Sequence, residues 1–309
     1  MTETRPSSGA YVCHGVTWAT GDPRLLLAPL PGGPLAYAEV MNRRLGFQVR
    51  GTGRWCTGRY QFAGTHHVEA VACPGRAPAA QNGQCLRCAG QDDFRFAHQV
   101  HQQGHAPQAL QRYMAQAHYL YLATFADGVS KVGTAAEPRR RSRLDEQGAL
   151  CATYLAIAAD GRAVRHLEDA LTRRLGVLQT VRGAAKLRAL AHLRDLAPVH
   201  AAHGHRVASA AEALTELGIH PVLERWAPPG EGARLRTAGL ERVLYPHDVR
   251  EGEHGFTVVS CIGSQVLTVL GDNDPGGTGH LLDLGLLKGR RIVLGAFTSP
   301  GTAVQSALF

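Results

Sequence analysis

Short alternating runs of apolar and polar residues occupy both ends of the chain, and helical periodicity occupies its middle. Residues 24–54 contain LLLAP, PLAYAEVM and GFQVRGTGRW, punctuated by glycine and proline, which is the pattern of β-strands. Residues 92–117 are rich in Gln and His, including His98, His101 and His105, and read as a polar connecting helix or linker. At 119–125 an apolar strand enters the turn ADG. A second strand follows at 129–132, so Asp127-Gly128 turns a hairpin. A helix comes next, with Pro138 in its first turn and Gly148 at its stop. LCATYLAIA at 150–158 is a third strand. In 162–175, Val164, Leu167, Leu171 and Leu175 share one stripe of an amphipathic helix that Gly176 ends. Another helix is expected over 184–196, and Ser209-Ala-Ala-Glu212 reads as the capping box of a short one ending at Gly218. Beyond Trp226, runs such as FTVVSCIG, QVLTVLG, HLLDLG and RRIVLG predict a small antiparallel sheet or barrel. Neither these strands nor the N-terminal ones look self-sufficient, so the two sets are expected to pack together.

The 309 residues give room for three units, divided at 1–112, 113–225 and 226–309. An apolar content of 44% is ordinary for a folded chain. No apolar run approaches the length of a membrane span, and the N-terminus lacks a basic start followed by an apolar stretch. Cytoplasmic residence without membrane contact is therefore the expectation. The net charge of +8 and pI near 9.4 favour an anionic partner, nucleic acid being the commonest. Of the 33 basic residues all but Lys131, Lys186 and Lys288 are arginine, a bias that a genome rich in G and C also produces. Their distribution says more than their number, since they crowd into residues 131–194.

Seven cysteines, an odd number without an export signal, argue against a disulfide framework. Four of them, Cys56, Cys73, Cys85 and Cys88, fall in one polar segment too poor in apolar residues to hold itself together. In Cys85-Leu-Arg-Cys88 two thiolates two residues apart can reach one ion, and structural zinc takes four such ligands. The four cysteines are the expected zinc ligands, with His66 or His67 as the replacement for Cys56 or Cys73. Cys13, Cys151 and Cys261 lie in apolar surroundings and read as core residues.

The order strand, turn, strand, basic helix, strand, helix over 119–175 resembles the GIY-YIG nuclease domain. Tyr119-Leu120-Tyr121-Leu122 stands at its first motif, with Tyr119 in place of the usual glycine. Lys131-Val132-Gly133 stands at its second, with lysine in place of tyrosine. The resemblance implies Tyr121 as nucleophile or its helper, Arg143 or Arg141 on the scissile phosphate, and Glu168 as the carboxylate holding magnesium or manganese. Most of the chain also resembles an uncharacterised bacterial family joining a cysteine segment, a GIY-YIG-like core and a β-rich tail. That resemblance rests on Lys131-Val132-Gly133, Arg143, the phrase DEQGA at 145–149 and the cysteine pattern. The expected fold is thus α+β: an N-terminal β and zinc-binding segment, a core with a three-stranded sheet and helices, and a barrel-like tail.

Three functions follow as candidates. The first is a zinc-containing nucleic-acid-binding protein with weak or absent catalysis, using Lys131, Gly133, Arg139, Arg140, Arg141 and Arg143. The second is a metal-dependent phosphodiesterase acting through Tyr121, Lys131, Arg143 and Glu168. The third is a protein-interaction scaffold whose arginines reflect composition alone. No aromatic stacking platform of the kind single-strand binders use is apparent in the sequence.

Overall fold

Strands from the two ends of the chain meet in one sheet. In a computed structural model, described for residues 8–63, 67–80, 82–95, 108–270 and 278–301, the N-terminal third forms β1 (Gly9–Thr17), β2 (Arg24–Pro29), β3 (Ala36–Glu39), β4 (Arg44–Val49), β5 (Arg59–Ala63), β6 (His67–Val71), α1 (Leu86–Gly90) and α2 (Gln108–Met114). The middle forms β7 (His118–Thr124), β8 (Ser130–Ala136), α3 (Arg140–Asp145), β9 (Cys151–Ala158), α4 (Gly161–Leu175), α5 (Gly183–Ala191), α6 (Ala197–Glu216) and β10 (Glu224–Arg225). The last part forms α7 (Ala233–Arg236), β11 (Arg242–Leu244), β12 (Glu253–Ile262), β13 (Gln265–Val269), β14 (Gly279–Asp283) and β15 (Arg291–Leu294).

The large sheet runs β11-β14-β13-β12-β4-β15-β1-β2-β3. β15 inserts between two N-terminal strands, with Ile292 opposite both Val49 and Tyr11. β12 pairs with β4 through His254 opposite Phe47. Trp18, Leu25, Leu27, Phe47, Phe256 and Ile292, drawn from both ends of the chain, share one buried cluster. Each end alone would leave half of that apolar face in water, which is the physical reason they combine. Among the described residues the sheet is open, bounded by β11 and β3, so the tail is not the closed barrel its strand spacing had indicated.

The second sheet is antiparallel, in the order β10-β9-β7-β8. It has one strand more than expected, because the two-residue β10 adds to the edge of β9. On one face α4 and α6 cover Leu120, Leu122, Val132 and Leu155 with Val164, Leu171, Ala210 and Leu214. On the other lie Tyr119, Tyr121, Phe125, Leu144, Tyr154 and Trp226. Asp160 caps α4 by accepting from the N–H groups of Arg162 and Ala163, both at 2.8 Å, and Gly176 ends it at a φ of 61°.

Helix α6 departs from expectation. Ser209 and Glu212 lie inside a helix of 20 residues and cap nothing. Its start is fixed earlier, by Pro198 in the first turn and by Asp195 accepting from the Ala197 N–H at 2.9 Å. The alanine-rich run between offers nothing to stop propagation, Gly204 being tolerated once α6 packs on the sheet.

Candidate metal centre and basic recess

The four cysteines come from two loops brought together by a hairpin that sequence reasoning did not anticipate. Cys56 precedes β5, Cys73 follows β6, and Cys85 and Cys88 flank the first turn of α1. β5 and β6 pair from Arg59–Val71 to Ala63–His67, which closes the hairpin at its cysteine end. Gly58 sits at φ 73° with its Cα against the Val71 carbonyl, a place where no side chain fits. Cys56 donates its N–H to the Ala77 carbonyl at 2.8 Å, and Thr57 to that of Gly83 at 2.9 Å.

All four Sγ atoms lie within 4.8 Å of one another. Zinc–thiolate bonds of about 2.3 Å put tetrahedral sulfurs about 3.8 Å apart, and Cys73 and Cys85 already stand 3.9 Å apart. None of the four is in a disulfide. The Gly58 N–H donates to Cys56 Sγ at 3.3 Å, the kind of bond that steadies a metal-bound thiolate. Burial raises the Cys56 and Cys88 thiols. At the more open Cys85 burial is outweighed by the Cys88 N–H and neighbouring sulfurs, and its thiol falls to about 7. Cys56, Cys73, Cys85 and Cys88 therefore fit a metal ion such as zinc, and among the described residues no other group of three or more side chains does. His67 instead faces Glu69 at 3.7 Å on the exposed side of β6. His66, His98, His101 and His105 lie outside the described residues.

The second site is built at the edge strand β8. Tyr121 on β7 pairs directly with Gly133 on β8, and its ring lies across the glycine. A Cβ at 133 would stand 2.5 Å from the ring carbon Cζ, so the glycine is what lets the tyrosine lie flat there. Arg143 on α3 lies close enough for its charge to act on the Tyr121 hydroxyl. Glu168 is buried on α4, beside β8, and accepts from Arg165 at 2.6 Å. Lys131, two residues from Gly133 on the same face, is buried, and its Nζ has a carbonyl contact of 3.4 Å, to Gln179. The four residues that the resemblance implied, Tyr121, Lys131, Arg143 and Glu168, thus fall in one cluster whose charges act on one another.

Several more residues join them. Lys186 on α5 donates to the Gln147 carbonyl at 2.6 Å and lies over the Phe125 ring at 4.7 Å. Arg139 pairs with Glu146 at 2.8 Å, and Arg143 approaches the same carboxylate at 3.6 Å. Arg140 points elsewhere: it pairs with Glu224 at 3.1 Å and lies over the Tyr119 ring at 4.8 Å. Arg141 is exposed and acts on Asp145. Five cations, Arg139, Arg143, Arg165, Lys131 and Lys186, therefore meet three acids, Glu146, Glu168 and Asp283. Burial, reinforced by Arg143 and Lys186, brings the Lys131 amine down to about 7. Burial and Arg143, opposed by Asp283, bring Lys186 to about 8. Burial and Glu168 raise the Tyr121 hydroxyl against the pull of Arg143.

The DEQGA phrase acquires a structural meaning here. Asp145 accepts from Trp226 Nε1 at 3.1 Å, Glu146 takes the two arginines, and the Gln147 carbonyl takes Lys186. Gly148, at φ 71°, abuts the Gln265 side chain and the Ile262 carbonyl of the large sheet. Arg165 was not among the expected site residues, and it enters the cluster as the partner of Glu168. Lys186 escaped because its helix is 55 residues from its neighbour Lys131, with only its rarity among the basic residues to mark it.

No helix among the described residues is long and apolar enough to cross a membrane. No curated protein and no solved structure matches the chain. Residues 59–208, which take in Cys73, Cys85, Cys88 and the whole basic recess, match the family model described as a protein of unknown function (DUF2797).

Proposed function

We propose that the chain is a zinc-containing nucleic-acid-binding protein that holds phosphates in the recess beside Tyr121. One observation carries the reading: five cations and three acids converge there, and burial lowers the Lys131 amine to about 7 and the Lys186 amine to about 8. Uncompensated buried charge is costly, so a site of this kind gains most from an anion. A phosphate would meet the Arg143 fork on one side and an ammonium on the other, and would draw protons back onto Lys131 and Lys186. The likeness of the β7–β8–α3–β9–α4 order to the GIY-YIG nuclease domain supports the same ligand class.

The decisive experiment is binding of labelled DNA and RNA to the zinc-loaded protein at rising salt. Each phosphate neutralised contributes a slope of about −0.7 to −0.9 in log affinity against log salt. A steep slope that Arg143→Ala and Lys186→Ala make shallower is expected. Binding indifferent to salt would remove the reading and leave a protein-interaction scaffold.

A second reading, phosphodiester cleavage, is favoured by the Lys131 amine titrating near neutrality, where a general base works best. The lysine would take the proton of an attacking water while Arg143 meets the charge growing on the phosphate. Glu168, one oxygen of which is held by Arg165, leaves the other for a magnesium or manganese ion, which would add Lewis-acid stabilisation of the phosphate. Metal-dependent cutting lost in Glu168→Ala is the expected sign of this activity, and unchanged cutting in that variant would sink it.

A further inference from the structure

A cleft of about 780 Å³ opens on the seam between the cysteine loops and the large sheet. Trp55, Arg76 and Pro78 line it from the loops, and Leu30, Pro31 and Arg291 line it from the ends of β2 and β15. The loop wall is fixed by its own bonds. Trp55, next to Cys56, bridges to Pro78 and donates its N–H to the Gly289 carbonyl at 2.7 Å. Arg76, three residues after Cys73, donates to the carbonyls of Cys73 at 2.6 Å and of Pro29 and Gly33 at 3.1 Å each. These bonds tie the loop to the chain just beyond β2, so the cleft has a defined shape. Its volume falls in the range of about 300–1,000 Å³ usual for small-molecule sites.

The charge balance of the cleft is one-sided. None of the residues lining it is an acid. Carbonyls satisfy the N–H groups of Arg76 but leave its charge uncancelled. Arg291 is less well provided for. Its guanidinium lies over the Trp55 ring at 3.2 Å, and its Nε is buried without a hydrogen-bond partner. Among the described residues no carboxylate pairs with it. A buried donor left unpaired is costly, while stacking on an aromatic face holds the planar fork in one orientation. The cluster beside Tyr121 differs in this respect, because Glu146 and Glu168 already take up part of its charge.

We propose that this cleft binds a small organic anion, its carboxylate or phosphate taken by Arg291 in the field of Arg76 and its apolar body resting on Leu30, Pro31 and Pro78. A guanidinium offers parallel N–H donors that match either oxyanion, so the chemistry is common to both. The two prolines and the leucine favour a ligand with an apolar part over a bare inorganic ion. No residue of this site belongs to the cluster beside Tyr121, and the two can be separated by mutation.

The test is calorimetric titration of the full zinc-loaded chain with benzoate, phenyl phosphate, inorganic phosphate and benzyl alcohol. Benzoate or phenyl phosphate is expected to bind more tightly than inorganic phosphate or benzyl alcohol, and the better of the two names the oxyanion. Arg291→Met keeps the apolar stem and removes the fork. It should weaken the aromatic anions by about 10- to 100-fold, the range for a hydrogen bond to a charged group. Zinc content and melting temperature should stay near those of the wild type, because the guanidinium holds no other part of the fold. Arg143→Ala should leave binding of the aromatic anions unchanged. Unaltered affinity in Arg291→Met, or a loss in Arg143→Ala alone, would overturn the proposal and move anion binding to the cluster beside Tyr121. Benzyl alcohol binding as tightly as the aromatic anions, or no binding of either anion at millimolar concentration, would also overturn it.

Discussion

The Tyr121 ring occupies the space that a side chain at Gly133 would fill. The two residues are paired across β7 and β8, and a Cβ at 133 would come within 2.9 Å of Cε2 as well as against Cζ. Glycine is thus required by its partner and not by its backbone angles. Gly133→Ala is expected to cost about 1–3 kcal/mol, the usual range for overpacking, and to displace the tyrosine ring. Tyr121→Leu in the same chain should recover part of that loss, because the clash needs both residues. Denaturant unfolding of the two single variants and the double variant measures the coupling. Strictly additive costs would show that the ring and the glycine do not interact.

Lys131 makes stability depend on pH in a stated direction. Its folded value near 7 lies below the unfolded value near 10.4. Between those limits the unfolded chain binds more protons, so stability rises as pH climbs through the window. Below pH 7 the amine is charged in both states and the burial penalty is fully present. Lys131→Met should flatten this part of the profile and be relatively more stable at pH 6 than at pH 9. Anion binding runs the opposite way: affinity for a phosphate probe should fall as pH rises from 6 to 8.5, less so in Lys131→Arg. A pH-independent difference between wild type and Lys131→Met would place the amine in water.

The metal centre predicts a stoichiometry and a coupling. One zinc per chain is expected, with cobalt giving the visible absorption of a tetrahedral thiolate site. Cys88→Ser, removing a buried ligand, should abolish tight binding, whereas His67→Ala should leave it intact. Chelation should free Asp92 and Asp93 from the hairpin and expose Phe62 and Phe94, lowering the melting temperature. Retained zinc in Cys88→Ser, or its loss in His67→Ala, would revise the ligand set.

The parts of this molecule that could be read along the chain are those whose causes are local. The Cys85–Cys88 spacing, the Asp127-Gly128 turn and the Val164–Leu171 stripe each state their structure within a few residues. The large sheet does not, because β15 finds its place between β4 and β1 through pairings about 245 and about 280 residues apart. The alternation predicted strands and their mutual need, but carries no address for the partner. The recess was half legible for the same reason. Tyr121, Lys131, Arg143 and Glu168 were expected from a resemblance, whereas Arg165 and Lys186 enter through packing of α4 and α5.

Asp145 offers an optical test of how the recess is fastened to its surroundings. Burial raises its carboxyl to about 6, despite the opposing Trp226 hydrogen bond and the charges of Arg141 and Arg236. A carboxyl with a folded value above its unfolded value of about 3.9 holds its proton longer in the folded chain. Stability should therefore fall as pH rises from about 4 to 6, the reverse of the Lys131 effect and in a separate window. Asp145→Asn keeps an acceptor for the indole N–H and removes the titration. Trp226 is buried and bonded to this carboxyl, so its fluorescence should titrate near pH 6 in the wild type and not in Asp145→Asn. Trp18 donates instead to the Gly263 carbonyl, and Trp226→Phe identifies the signal. A transition that survives Asp145→Asn would mean that another group next to the indole titrates, and the fastening of α3 to the Trp226 segment would have to be sought elsewhere.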